Sequence, residues 1–460
     1  MKYTAKINRS FLFGDFGILS WSKFAIFLGI LISAIVYISD SLLAVFGAFL
    51  VVILFIIGLV KPLWIVYFSL ASGGFALAAL TDYQRSLFTS LGGIHLDGLR
   101  LVGIVVVLGT IAVFKNYFLK RKSLLIYFVF LLFAGFSLLY SNSKLDGLRL
   151  FFKLCFPYFI FITIINSNIK NEKLQQLQKA IFIGGLVVIL LSLFFILFGI
   201  GFITLPGDIP RLRSTIGGAA NLSFYLGLIG LYCYAKFIFQ NKKEYFLVFL
   251  LSFIICIFTI TRIGIAAMLI GTLVLTLLAR KKFFAVLILS GSIIVILFTP
   301  VRNRLFYFPV ENINEIFSWD ILRRINTQGR ENIWRFVLPL FYNKPIFGAG
   351  LGSTTKYLLE NFDGPGVVHN EYLRILVETG IIGFSLFMLS YLIVFRRCIS
   401  IFKISKKERF LSALAIAGLV FYFIINITDN GIDYYANAAQ YAWAYVALCF
   451  VNFKNQQFEV

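Results

Sequence analysis

Charge is what this 460-residue chain lacks most conspicuously: 13% of its residues are Asp, Glu, Lys or Arg, where soluble domains carry about a quarter. That deficit, together with 60% hydrophobic residues and a mean hydropathy of +0.92, excludes a water-soluble globular protein. Histidine is scarcer still, with only His95 and His369 in the whole chain, which excludes a multi-histidine metal site. The five cysteines, Cys155, Cys233, Cys256, Cys398 and Cys449, lie in or beside apolar runs without Cys-x-x-Cys spacing. They read as small buried hydrophobes, and no disulfide or metal framework is indicated. The carboxylates Asp15, Asp146, Asp363, Glu371, Glu378, Asp429 and Asp433 are scattered, and no paired spacing singles out a proton relay or a metal-dependent transferase.

What is abundant is long apolar sequence. Runs of about 17 to 25 residues recur along the chain, each long enough to cross a hydrocarbon core of about 30 Å as a helix. One such run could be a signal peptide; a series cannot. They centre near Leu28, Leu50, Ser69, Val107, Leu131, Pro157, Leu190, Gly227, Leu251, Ile270, Leu289, Leu386, Gly418 and Trp443. The predicted fold is an all-α polytopic membrane helical bundle of about 12–14 transmembrane helices. Only Thr261-Arg262 interrupts the ninth and tenth runs, which leaves open two helices, one long interrupted pair or a tilted span.

A net charge of +22 and a pI near 9.8 would suggest nucleic acid for a soluble protein, but here the cations belong to every second loop. Lys2, Lys6, Arg9 and Lys23 precede the first run; Lys115, Lys120, Arg121 and Lys122 follow the fourth; Lys170, Lys173 and Lys179 follow the sixth. Lys242-Lys243, Arg280-Lys281-Lys282 and the cluster Arg396, Arg397, Lys403, Lys406, Lys407 and Arg409 continue the series. Cytoplasmic loops retain Lys and Arg, so both termini are expected in the cytoplasm, with the lipid bilayer and no nucleic acid as partner. The complementary loops then face outward. The longest, from Pro300 to Leu373, far exceeds an ordinary connection, and its Phe306, Tyr307, Phe308, Ile316, Phe317, Trp319, Trp334 and Phe336 are too apolar for a disordered tether. An ordered external subdomain of short helices is predicted.

Several polar residues stand out against this background. Arg262 interrupts the apolar stretch from Leu247 to Leu278, where an unpaired charge costs at least about 2.5 kcal/mol. It either snorkels or pairs with a structural carboxylate, or it presents a two-pronged guanidinium to phosphate. Arg330 has the same candidate role from the outer loop. Arg211 and Arg213 offer further external cations, with an ordinary solvated loop as the alternative. The Gly-rich stretch through Gly348 and Gly350 permits backbone to approach a ligand or another helix closely. His369-Asn370 precedes the twelfth run at the expected outer surface, where His369 is either a proton acceptor near neutral pH or an interfacial histidine bonded to backbone.

Three patterns in order, Thr261-Arg262-Ile263-Gly264 opening a run, Gly329-Arg330…Trp334…Pro345…Gly348-x-Gly350, and His369-Asn370-x9-Gly380-x-x-Gly383, resemble the O-antigen ligase/polymerase family over about residues 245–390. The family commonly has Ser before and Gly after the intramembrane Arg, where this chain has Thr261 and Ile263. The resemblance divides the chain into N-terminal transmembrane helices (1–244), the O-antigen ligase-related region with external loop 299–373 (245–390) and C-terminal transmembrane helices (391–460).

It implies a GT-C-like, metal-independent, inverting glycosyltransferase without a cofactor in the bacterial inner membrane, its active site facing the periplasm. The implied donor is an undecaprenyl-diphosphate-linked glycan, and the implied acceptor is a glycan or lipid A–core, for cell-surface polysaccharide synthesis. Carried over position by position, Arg262 and Arg330 hold the diphosphate and His369 activates the acceptor hydroxyl. Arg211, Arg213, Asn370, Gly348 and Gly350 are candidates for contacting substrate. The long outer loop favours the polymerase over the ligase. The rival reading is a transporter or flippase of lipid-linked glycans, which should line a central cavity with charges at several depths; here the notable residues collect at one face.

Overall fold

Inside a bilayer every backbone N–H and C=O must be satisfied within the segment, so apolar runs of this length become helices. The computed structural model of the protein describes residues 61–73, 104–112, 122–298 and 327–458, except 168, 205–208, 217, 363–365 and 406–408. The bundle is built from α1 (Pro62–Ser72), a helical stretch at 104–112, α2 (Lys122–Ser137), α3 (Lys144–Asn166), α4 (Asn171–Leu197), α5 (Ala219–Gln240), α6 (Lys243–Phe258), α7 (Arg262–Leu278) and α8 (Lys282–Phe298). After these come α9 (Arg330–Asn343), α10 (Ser353–Asn361), α11 (Glu371–Ile404), α12 (Phe410–Thr428) and α13 (Gln440–Phe458), with one π-helical turn at Tyr435–Ala439. A two-residue hairpin, β1 (Phe202–Ile203) against β2 (Arg211–Leu212), pairs antiparallel between α4 and α5.

Helices α3, α4, α5, α11 and α12 are long and apolar enough to cross a membrane, and α1, α2, α7 and α8 supply shorter apolar helices. The protein is therefore the all-α polytopic membrane bundle expected. The runs centred near Leu28 and Leu50 lie outside the described residues, as do His95 and the 300–326 part of the outer loop. Between the ninth and tenth runs α6 ends at Phe258 and α7 begins at Arg262. Both pack on α5, so the break is a reversal between two helices and not one interrupted span.

Sequence governs which faces are buried. On α2 and the turn that follows it, Leu125, Val129, Leu132, Phe136 and Leu139 are exposed at alternating steps of four and three, a single stripe left for lipid. The opposite side packs inward: Trp443 of α13 is fully buried, donates Nε1–H to the Tyr391 hydroxyl at 3.3 Å, and meets the rings of Tyr127 at 5.0 Å and Phe161 at 5.1 Å. Successive helices reverse at short turns. Those turns carrying Lys170, Lys242-Lys243, Arg280-Lys281-Lys282 and Lys403 with Arg409 thus share one end of the bundle, opposite the first residues of α7 and α11.

Helix α11 folds back on itself. At Gly380 the backbone takes φ 65°, ψ −171°, which a residue with a side chain avoids. Tyr372 and Tyr391 lie nineteen residues apart, about 28 Å along a straight helix. Yet the Tyr372 hydroxyl donates to the Phe423 carbonyl at 2.9 Å and the Tyr391 ring sits 5.5 Å from the Phe423 ring. The limb from Glu371 to Gly380 therefore runs from inside the bundle up to its rim, and the rest of α11 descends again. Residues 345–352 seal the bend: Ala349 and Gly350 donate their N–H groups to the carbonyls of Val377 and Glu378, both at 2.9 Å, and Ile381 donates to the Pro345 carbonyl at 2.9 Å.

A methyl group on Gly380 would lie 2.3 Å from the Ile346 carbonyl oxygen. Gly380→Ala should cost about 1–3 kcal/mol from backbone strain alone, read as a lower melting temperature of the purified protein and reduced membrane abundance. An unchanged melt would mean that the bend tolerates ordinary backbone.

The described part of the long 299–373 loop forms short helices, α9 and α10, with Ile333, Val337, Leu358, Val368 and Val377 buried together against the limb. Trp334 donates its indole N–H to the Val368 carbonyl at 3.0 Å, which ties α9 to the residue before His369.

Candidate functional site

The site is organised by the turn Asp429-Asn430-Gly431-Ile432-Asp433-Tyr434, which follows α12. Asp429 accepts the Asn430 N–H at Oδ1, 2.9 Å, the local side-chain-to-backbone bond that makes Asp a turn former. The Tyr434 carbonyl accepts the N–H groups of Asn437, Ala438 and Ala439 and opens the π turn, a helical irregularity frequent at functional sites.

This turn is zipped to the start of the α11 limb. Asn370 donates its N–H to Asn430 Oδ1 at 3.1 Å, Glu371 donates its N–H to the Asp429 carbonyl at 3.2 Å, and Ile432 donates its N–H to Glu371 Oε2 at 3.0 Å. Asn370 is the N-cap of α11, accepting the Leu373 N–H at 2.9 Å, as Asn at that position should. The zipper brings His369 Nδ1 to 3.5 Å from Asp429 Oδ1, the same oxygen that accepts the Tyr434 hydroxyl at 3.0 Å. The His369 side chain is 28% exposed and that of Asp429 7%, so a reachable imidazole stands on a buried carboxylate.

Beneath the zipper four charges are held together. Arg374 reaches both carboxylate oxygens of Glu371, Nε to Oε1 at 2.9 Å and Nη2 to Oε2 at 2.7 Å, and Nη1 reaches Asp433 Oδ2 at 2.8 Å. Lys153 of α3 meets Asp433 Oδ1 at 2.6 Å. Burial alone would push the Asp433 carboxyl up, but Arg374 and Lys153 beside it hold it well below the usual carboxylate range. Along α3 Lys153 lies six residues, about 9 Å, deeper than Gly147, whose backbone packs against the rim at Leu351. The site is thus recessed from the end of the bundle.

The candidate cations fall on three segments: the hairpin, the start of α7 and the start of α9. Arg262 is the first residue of α7, and Gly264 two residues on packs against Ser223 and Phe224. The Phe224 ring meets the Tyr434 ring edge to face at 4.7 Å. Arg211, on the hairpin, donates Nε–H to the Thr259 carbonyl at 3.1 Å and Nη2–H to Thr261 Oγ1 at 3.0 Å, which fixes it to the turn that carries Arg262. Arg330 is the first residue of α9 and lies within electrostatic reach of Tyr434. Arg213 follows on the hairpin, its N–H donated to the Gly201 carbonyl at 2.9 Å.

Gly348 and Gly350 are placed elsewhere. A side chain on Gly348 would collide with the backbone of Glu378 and Gly380, and one on Gly350 with Ser141. Their close approach is to a helix, about 10 Å along the limb from Glu371. Glu378 itself is fully buried and caps α10, its carboxylate accepting the Gly352 N–H at 2.9 Å and both the N–H and hydroxyl of Thr354.

Backbone strain marks the same region. Among the described residues six non-glycines have positive φ: Ser214, Asn241, Ile260, Arg280, Gln328 and His369. Four of them adjoin or belong to the candidate set, beside Arg213, two before Arg262, two before Arg330 and at His369 itself. Ile260 is β-branched, for which this conformation is a genuine outlier; such strain persists where the surroundings impose it, most often at functional sites.

Asp429, Tyr434, Arg374, Asp433 and Lys153 are the participants that sequence reasoning missed. The usable signals were the turn-forming Asp-Asn-Gly-x-Asp between two apolar runs and the Glu371/Arg374 pair at i, i+3. The carboxylates Glu371, Asp429 and Asp433, scattered in sequence, converge in space. Among the described residues no group of three or more His, Cys, Asp or Glu side chains is arranged to hold a metal ion.

No curated protein matches the chain. Residues 247–388 match the O-antigen ligase family, a span that contains Arg262, Arg330, His369 and the folded-back limb. The chain thus carries, within a polytopic all-α membrane bundle, a region similar to the O-antigen ligase family.

Proposed function

We propose that the protein is an inverting, metal-independent glycosyltransferase that moves a glycan from an undecaprenyl-diphosphate carrier to an acceptor hydroxyl at the outer face of the bacterial inner membrane. The observation that carries this reading is the pairing of His369 Nδ1 with Asp429. An imidazole that donates Nδ1–H to a carboxylate keeps the Nε2 lone pair available, which is the form a general base needs. Nε2 takes the acceptor hydroxyl proton, and the acceptor oxygen bonds to the anomeric carbon. The bond from that carbon to the carrier phosphate breaks, and its electron pair leaves with the diphosphate. Arg262, Arg330 and Arg211 supply positive charge for the departing diphosphate, and Arg213 adds to it from the same hairpin.

The recessed site suits a donor whose lipid tail stays in the bilayer and whose headgroup must be met at membrane depth. The basic turns gathered at the opposite end support an outward-facing site. The long outer loop, with α9 and α10 folded over the limb, favours a glycan acceptor and hence a polymerase over transfer to lipid A–core. The 391–460 segment lends the 245–390 region Asp429 and Tyr434.

Purified protein in lipid nanodiscs, given carrier-linked glycan and acceptor in the presence of EDTA, should form the new glycosidic bond. Translocation of donor across a vesicle without bond formation would establish the transporter instead, and transfer lost in EDTA and restored by magnesium would overturn the arginine-based mechanism. Arg262→Lys should lower transfer about 10²–10³-fold at normal abundance, because an ammonium cannot reproduce the two-pronged contact to phosphate. Near-normal product from that variant would return Arg262 to a structural role.

A further inference from the structure

Tyr434 links both halves of the proposed site. Its hydroxyl donates to Asp429 Oδ1 at 3.0 Å, on the side of His369. Its ring packs edge to face on Phe224 at 4.7 Å, and Phe224 in turn lies against Gly264 at the start of the helix that begins with Arg262. Arg330 is within electrostatic reach of it as well. Burial and the neighbouring Asp429 push the Tyr434 phenol well above its ordinary range, with Arg330 opposing them, so the hydroxyl stays protonated and can act only as the donor in that bond.

We infer that Tyr434 is a positioning residue: its hydroxyl and the Asn430 N–H clamp Asp429 Oδ1 so that His369 keeps its proton on Nδ1 and leaves Nε2 bare, while its ring braces the helix start that presents Arg262. The inference rests on the base assignment of His369 made above. Three polar groups converge on one carboxylate oxygen, the Asn430 N–H at 2.9 Å, the Tyr434 hydroxyl at 3.0 Å and His369 Nδ1 at 3.5 Å. The histidine contact is the longest, so it depends most on where the other two hold the oxygen. With Tyr434 hydroxyl removed, a single backbone N–H is left to aim the carboxylate, and the torsion that carries Oδ1 toward His369 is freed. The two functions separate chemically, because the hydroxyl serves the base and the ring serves the cation.

The chain's two histidines make this directly measurable. In full-length His95→Gln protein in nanodiscs, ¹⁵N-labelled at histidine, the only imidazole signal is that of His369, and its two nitrogen shifts report which one carries the proton at about pH 9, where an ordinary imidazole is neutral. The expected result is a predominant Nδ1–H form that Tyr434→Phe moves toward the mixed form of free imidazole, with undecaprenyl diphosphate binding unchanged. Tyr434→Ala should shift the tautomer equally and also weaken undecaprenyl diphosphate binding about tenfold, the scale of one lost contact.

A predominant Nε2–H form in the parent protein would overturn the inference without any variant, as would a Tyr434→Phe protein whose tautomer ratio is unchanged. If Tyr434→Phe misfolds, Asp429→Asn must produce the same tautomer shift or the inference fails. These spectra stand apart from turnover: a His369 that proves dispensable for transfer would remove the base assignment while leaving the tautomer result readable.

Discussion

His369→Ala should reduce glycan transfer by about 10²–10⁴-fold, the usual cost of removing a general base, while the protein accumulates in the membrane as before. The reason for expecting function and stability to part company lies in how little of His369 is structural. Its side chain is 28% exposed, its ring makes one polar contact among the described residues, at 3.5 Å, and it carries a positive φ of 54°. The bonds that hold the neighbourhood, from Asn370, Glu371 and Ile432, are made by other groups. Product formation, membrane abundance and binding of undecaprenyl diphosphate should be measured on one preparation. Wild-type product would remove His369 from the chemistry, and loss of the protein itself would make it a structural histidine.

Arg374→Met should do the reverse and act chiefly on the fold. Arg374 is 4% exposed and Glu371 fully buried, and the guanidinium is shared between Glu371 and Asp433, with Lys153 as the remaining partner of Asp433 alone. Removing one member of a buried ion pair costs about 3–5 kcal/mol, because the desolvated charge left behind has nothing to offset it. Against the 5–15 kcal/mol typical of a folded domain, that is enough to deplete the protein from the membrane. The double variant Arg374→Met/Glu371→Gln should recover much of the loss, since it neutralises the stranded carboxylate. If the single variant melts like the parent, the network contributes no stability, and if the double is no better than the single, stranded charge is not the cause.

How much of this could be read from the chain alone differs by feature. The helices at Pro157, Gly227, Gly418 and Trp443 are where the apolar runs put them, because length and hydropathy decide a span with little help from tertiary context. Arg262 stood out as a charge inside an apolar stretch and Arg330 as a cation in the long loop, and both became candidates on that ground alone. The partner of His369 did not. Asp429 is sixty residues away, and nothing in local periodicity says that the turn after α12 returns to the head of α11.

The glycines gave half an answer. Gly348 and Gly350 indicated a close approach, to ligand or to helix, and the structure places them against the backbone of α11. Gly380 carried the more important instruction, a reversal of direction inside what reads as one long helix. Its consequence, a site sunk below the rim, emerges only when Tyr372 and Tyr391 are seen to meet the same residue. Arg211 illustrates a third limit, since its tie to Thr259 and Thr261 depends on a hairpin only two residues wide, too short to register as a strand pattern.

The turn from Asp429 to Tyr434 also bears on modularity. The stretch that matches the O-antigen ligase family ends at residue 388, so the proposed base and the carboxylate beneath it are on opposite sides of that border, and the hairpin arginine and Lys153 are also outside it. Exchanging the matched stretch between two relatives would transplant an imidazole without its counter-charge, and a limb whose arginine must find a foreign aspartate. The unit that natural recombination can shuffle intact is larger than the unit that sequence similarity outlines. A substitution in the 429–434 turn should therefore need a matching one near 369–374, as across two faces of an interface within a single chain.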